Sequence, residues 1–135
     1  MQILGNGVDI VDNSRIKKLI SNKKFIKRIY TISEIEASKK NKNNEKYFAK
    51  RFAAKEAFVK AIGTGFRSGI NFNDISIINK SSGKPEILLS SKIKNKLKKK
   101  FKLKKFKIFL SLSDEKKYSI AYVVINKIKW LAENL

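Results

Sequence analysis

The sequence predicts an α+β fold in which an antiparallel sheet packs against helices. Three observations carry that expectation. Glu45–Ile62 is a proline-free run of good and tolerable helix residues, closed by Gly63 and broken again at Gly65. Phe106–Leu112 and Tyr118–Val124 alternate apolar and polar positions across Ser113-Asp114-Glu115-Lys116-Lys117, which is a hairpin pattern. The strands and helices come in separate groups rather than in strict alternation, which favours α+β over a parallel sheet. With 135 residues and no repeat or linker, residues 1–135 are expected to form a single domain with a real core.

The elements follow in order. Ile3–Asp12 reads as a strand, β-branched around Asp9, an acid that either faces solvent or serves a site. Asn13 or Ser14 can cap the next helix. Its apolar positions are Ile16, Leu19, Ile20, Ile26 and Ile29, and Arg15, Lys17, Lys18, Lys23, Lys24, Lys27 and Arg28 give it seven positive charges. Ser33-Glu34-Ile35-Glu36 fits a capping box, with Ser33 as cap and Glu36 reaching back, and opens a short helix ending in the polar run Lys39–Asn44. The long helix Glu45–Ile62 comes next, then a glycine-containing loop, Thr64–Asn71. Phe72–Asn79 and Glu86–Leu89 read as paired strands around the turn residues Ser81–Pro85. Ser90 or Ser91 can cap a very basic helix with a thin stripe of Ile93, Leu97 and Phe101; the hairpin follows, and Asn126–Leu135 reads as a weakly helical tail.

Composition excludes several chemistries. There is no cysteine, so disulfides and zinc–thiolate sites are ruled out and a reducing, cytoplasmic setting is expected. There is no histidine either, which removes His-based triads and His metal ligands and leaves any metal to oxygen donors. No apolar run approaches the ~20 residues that span a bilayer, and Met1–Asp12 lacks the pattern of a signal peptide. The net charge of +21, from 32 basic and 11 acidic residues, favours an acidic or polyanionic partner. Lys, Asn and Ile are all abundant, as A+T-rich coding would produce, so part of that charge is compositional.

Within the long helix, Phe48, Phe52, Lys55 and Val59 share one side, and Phe52, Glu56 and Lys60 stack on an adjoining strip. Glu56 and Lys60 alone are an ordinary exposed i, i+4 pair, worth about 0.2–0.5 kcal/mol. A second reading joins Glu56 to Asp9 as carboxylates sharing a divalent cation, with water and phosphate oxygens completing its shell. Gly83-Lys84-Pro85 offers an exposed lysine, Gly63-Thr64-Gly65 offers unobstructed backbone amides, and Ser111 and Ser113 place hydroxyls on one strand face. Lys92–Lys107 carries ten lysines and no acid, the pattern of a solvated face. The Arg15–Arg28 helix adds Phe25 and Tyr30 to its charges, which suits an acidic helical partner.

Gly7-Val8-Asp9-Ile10-Val11, Arg51-Phe52-Ala53-Ala54-Lys55-Glu56-Ala57 with Lys60-Ala61, Gly63-Thr64-Gly65, Gly83-Lys84-Pro85 and Ser111-Leu112-Ser113 occur in this order. Together, from Ile3 to about Val124, they closely resemble the holo-acyl-carrier-protein synthases, the small bacterial 4′-phosphopantetheinyl transferases. The resemblance implies the 4′-phosphopantetheinyl transferase-like fold and a magnesium-dependent transfer of phosphopantetheine from coenzyme A to a serine of apo-acyl carrier protein in fatty-acid biosynthesis. It implies Asp9 and Glu56 as magnesium ligands and Lys60 as the neutraliser of pyrophosphate charge. The base that takes the serine proton is left open among Glu56, Asp9 and a metal-bound water. Arg51, Lys60, Gly63, Lys84, Pro85, Ser111 and Ser113 fall to the nucleotide pocket, and Arg15, Lys24, Phe25 and Arg28 to carrier docking. A homotrimer with the site between protomers is also implied. Many relatives carry histidine where this chain has Asp114, so no role passes to Asp114. The alternative is a small basic nucleic-acid-binding protein, supported by charge but by no recognised nucleic-acid motif.

Overall fold

A computed structural model describes residues 2–66, 69–102 and 105–128. Strand β1 (Gln2–Asp12) is followed by four helices, α1 (Asn13–Leu19), α2 (Lys23–Ile29), α3 (Ile32–Ser38) and α4 (Asn44–Ile62). Strands β2 (Ile75–Asn79) and β3 (Pro85–Leu89), helix α5 (Ser91–Phe101), and strands β4 (Phe106–Asp114) and β5 (Tyr118–Lys127) complete the order. The antiparallel strands form two sheets, a three-stranded β1-β5-β4 and a β2-β3 hairpin, where the sequence suggested one.

Several expectations about element ends are corrected. The basic helix is two helices, because the Asn22 side chain accepts from Lys24 N–H and starts α2 afresh. Asp12, not Asn13 or Ser14, caps α1. Asn13 is buried instead: its amide donates to the Glu115 and Lys116 carbonyls and its oxygen accepts from Ser119, fastening α1 to the β4–β5 turn. The capping box at α3 is Thr31 with Glu34, two residues earlier than Ser33 with Glu36. Asn43 caps α4, which starts at Asn44. A single 3-10 turn, Phe72–Asp74, precedes β2, so that strand starts at Ile75. Asn126 and Lys127 extend β5 rather than open a helical tail, and residues 129–135 of that expected tail lie outside the described residues.

Helix α4 is the centre of the core. Ala49, Ala53, Ala54, Ala57, Phe58 and Val59 are all essentially inaccessible, because the three-stranded sheet covers one side and α1, α3 and β2 cover the others. Gly5 and Gly7 set the closest approach: a Cβ at either would stand 2.0 Å from the carbonyl oxygen of Ala61 or Ala57. Missing side chains on β1 and methyls on α4 therefore let strand and helix backbones touch. Gly63 closes α4 in the left-handed conformation at φ 80°, as its sequence position suggested.

Candidate active site at the β1–α4 contact

Side chains alternate along a strand, so Asp9 lies on the same face of β1 as Gly5, Gly7 and Val11. That face looks at α4, and the glycine contact brings Asp9 against the turn that carries Glu56 and Lys60. The Asp9 side chain is 16% exposed, and its Oδ1 accepts from Lys60 Nζ at 3.0 Å. The same ammonium donates to the Val8 carbonyl at 3.1 Å. Lys60 thus pairs across to Asp9, and the surface Glu56–Lys60 pair is not what forms.

Burial pushes the Glu56 carboxyl above its usual range, and the Asp9 charge pushes it the same way, while Lys60 and Arg15 oppose them. Two carboxylates are therefore held within electrostatic reach of each other in a partly dry place, where a shared cation would relieve their repulsion. All donors at the site are oxygens, which suits magnesium or manganese. Among the described residues no group of three or more acidic side chains gathers. Two carboxylates would hold such an ion, with water and ligand oxygens completing its shell.

The other residues singled out from sequence are dispersed. Arg51 is buried, its guanidinium 3.6 Å from the centre of the Tyr47 ring and hydrogen-bonded to Asn79, and its Nε has no partner. Lys84 and Pro85 line a groove of about 320 Å³ between β3 and β4, together with Lys80, Lys94 and Lys107. Asp9 and Glu56 do not line it. Ser111 and Ser113 are exposed on the outer face of the three-stranded sheet, opposite Tyr122 and Ile120 of β5. Beside Gly63, Lys100 of α5 donates to the Ile62 carbonyl at 2.6 Å and satisfies the end of α4. Asp114 binds Lys50 at 2.9 Å and lies 3.7 Å from Lys46.

On the α1–α2 face, Arg15, Lys24 and Arg28 are exposed, and Arg15 lies over the Phe52 ring at 5.9 Å. Phe25 is half-buried between Tyr30 and Phe52, so most of its ring is committed to packing.

Sequence reasoning missed one pair. Lys55 and Glu34 are both fully buried and 2.6 Å apart. Lys55 also donates to the Ile29 and Phe72 carbonyls, and Glu34 accepts from Thr31 and Ile77 N–H. The pair ties α2, α3, α4 and β2 together beside Glu56. The signal was present: a lone lysine between Phe52 and Val59 on an apolar side requires a buried partner.

Comparison with known proteins finds similarity over nearly the whole chain. The family model described as the 4′-phosphopantetheinyl transferase superfamily matches residues 5–123. The holo-[acyl-carrier-protein] synthase of Pelagibacter ubique is 57% identical, over 94% of this chain and 99% of that protein. The crystal structure of the Neisseria meningitidis holo-[acyl-carrier-protein] synthase superimposes with a TM-score of 0.83 at 38% identity, covering 93% of this chain and all of that one. The Bacillus anthracis enzyme, solved in complex with CoA (3′,5′-ADP), gives 0.79 at 34% identity, over 95% of this chain and all of that one.

Proposed function

The chain belongs to the 4′-phosphopantetheinyl transferase superfamily, and from that premise we propose that it acts as a holo-[acyl-carrier-protein] synthase, moving the 4′-phosphopantetheine group of coenzyme A onto a serine of apo-acyl carrier protein. The observation that carries this reading is the seating of Asp9 against α4 beside Glu56 and Lys60 by the Gly5 and Gly7 contacts. In the transfer the serine Oγ forms a bond to the β-phosphorus of the pyrophosphate. The bond to the bridging oxygen breaks, adenosine 3′,5′-bisphosphate leaves, and the hydroxyl proton passes to a base. Such a step depends on positioning and charge neutralisation more than on covalent chemistry.

Asp9 and Glu56 would hold a magnesium ion, which when bound supplies charge neutralisation at the phosphates. The Lys60 ammonium, with its side chain 53% exposed, adds a second positive charge on the same side. With no histidine in the chain, the hydroxyl proton would pass to Glu56, to Asp9 or to a water on the ion. Lys84, Pro85 and the lysines of the β3–β4 groove are assigned to the nucleotide end, with Gly63, Arg51, Ser111 and Ser113 shaping its surroundings. Arg15, Lys24 and Arg28 are assigned to the acidic carrier. We place the reaction in fatty-acid biosynthesis in the cytoplasm. The absence of cysteine suits that compartment, and no helix among the described residues is long and apolar enough to cross a membrane.

Two observations support a homotrimer with its site between protomers. Val8, Ile10, Ile120, Tyr122 and Phe109 expose an apolar outer sheet face. The carboxylate pair and the lysine-lined groove share no lining residue within one chain. Light scattering should give three times the protomer mass of 15.5 kDa; a monomer would exclude that assembly. The enzymatic test mixes the protein with coenzyme A, magnesium and apo-acyl carrier protein and reads the phosphopantetheine mass gain on the carrier. Failure with several carriers would overturn the assignment.

A further inference from the structure

Ile32 is the most exposed large apolar residue among those described, at 81%. It opens α3 directly after the Thr31 cap, and it lines a groove with Ile35, Tyr30, Lys27 and Asn73. The groove is fixed rather than incidental. Asn73 donates to the Lys27 carbonyl at 3.1 Å and joins the 3-10 turn to α2. The Thr31 hydroxyl lies 3.0 Å from that of Ser76, which ties α3 to β2. Tyr30, which contributes a wall, is buried and donates its hydroxyl to the Phe48 carbonyl.

Charge selects what can occupy this groove. The α2 helix that borders it exposes Lys23, Lys24, Lys27 and Arg28 and carries no acid. Glu36, the one acid that lines the groove, is occupied by Lys39 at 3.1 Å. An apolar groove beside an uncompensated basic helix fits an acidic amphipathic segment with a bulky aliphatic or aromatic side chain. A singly exposed isoleucine is ordinarily unremarkable. Here it stands in a rigid groove continuous with the basic α1–α2 face, while Phe25 is drawn inward against Tyr30 and Phe52.

We propose that the Ile32–Ile35 groove at the α2–α3 junction receives an apolar side chain of the acidic carrier protein, extending the basic docking face with a hydrophobic anchor. This rests on the carrier-modifying reading above. Basic side chains then steer the encounter, and the groove holds the carrier once it has arrived.

The test is steady-state transfer with Ile32→Asp, Ile32→Ala and Ile32→Leu variants of the full chain, read against carrier and coenzyme A separately. Each variant is first checked by circular dichroism and light scattering. Ile32→Asp should raise KM for the carrier about tenfold and Ile32→Ala about threefold, while Ile32→Leu stays within twofold of the parent. The KM for coenzyme A should remain within twofold throughout. A carrier KM unchanged in Ile32→Asp, equal shifts for both substrates, or a changed molecular mass would each overturn the proposal, the last by assigning the groove to a second copy of the chain. If the parent protein itself transfers nothing to any carrier, the carrier-modifying reading fails, and the docking proposal falls with it.

Discussion

Replacing Lys55 with methionine should destabilise the protein more than any substitution of an exposed lysine. In the native state Glu34 takes four hydrogen bonds: Lys55 at 2.6 Å, Thr31 N–H at 2.8 Å, Ile77 N–H at 2.9 Å and the Thr31 hydroxyl at 3.2 Å. Methionine keeps most of the aliphatic volume but removes the countercharge, leaving a carboxylate with no solvent access. It also strips the Ile29 carbonyl of a 2.6 Å donor and the Phe72 carbonyl of one at 3.2 Å. Removing one partner of a buried ion pair typically costs about 3–5 kcal/mol. With a urea slope of about 2 kcal/mol per molar, the midpoint should fall by roughly 2 M. The assay is urea unfolding followed by far-ultraviolet circular dichroism at one fixed protein concentration, since assembly contributes to apparent stability. The double variant with Glu34→Gln removes the stranded charge, so its loss should fall short of the summed single losses by roughly 1–3 kcal/mol. Destabilisation below about 1 kcal/mol in Lys55→Met, or additive losses in the double variant, would refute the view of this pair as a mutually dependent core element.

Three other perturbations probe the site and its surroundings. Gly7→Ala would place a methyl 2.0 Å from the Ala57 carbonyl oxygen, backbone that cannot swing away; the strand must retreat from α4, costing roughly 1–3 kcal/mol or more and moving Asp9 off Glu56, so transfer should collapse even where circular dichroism is retained. Glu56→Gln should abolish transfer yet stabilise the magnesium-free fold at neutral pH by roughly 0.5–2 kcal/mol. The sign follows from a folded pKa raised above 4.5 by burial and then by Asp9: the cost of ionising Glu56 is absent below the unfolded value and sets in as pH rises through the folded one. Denaturation in chelator at pH about 4 and about 7 checks this, and a variant less stable than the parent at neutral pH would contradict it. Asp114 has the opposite sign, its carboxyl held below 3.8 chiefly by the Lys50 hydrogen bond. The stabilisation it brings, under about 1 kcal/mol for a partly exposed pair, should be present above the unfolded value and disappear as pH falls through the lowered folded one. Comparing Asp114→Asn with the parent across acid pH reads it, and a difference that does not shrink as the pH is lowered would exclude the ion pair as its source.

The carboxylates of the candidate site were legible because strand alternation and the i, i+4 helix spacing are local rules. They place Asp9 on one face of β1 and Glu56 above Lys60 on α4 without reference to the rest of the chain. What could not be read was which group each would meet. Lys60 turned to Asp9, not to Glu56, because Gly5 and Gly7 draw β1 onto the helix, and that closeness depends on where a distant strand docks. The α3 cap shows the same limit: Thr31-x-x-Glu34 and Ser33-x-x-Glu36 both satisfy the local template. Lys55 and Ile77, from two other elements, decide for Glu34 by burying its carboxylate.

The sequence by itself determined most of the element types, the α+β class and the excluded chemistries, since periodicity, glycine caps and the absence of histidine and cysteine are properties of the chain alone. Its ordered motifs also led to the family. Tertiary structure decided the rest: the division of the strands into two sheets, the Asp9–Lys60 contact, the buried Lys55–Glu34 pair, the inward turn of Phe25 and the exposure of Ile32. Each of these depends on residues far apart in sequence meeting in a low-dielectric interior or being left outside it. Local propensity does not carry that information, because the cost of burying a charge or exposing an apolar side chain is set by neighbours that only the assembled fold supplies.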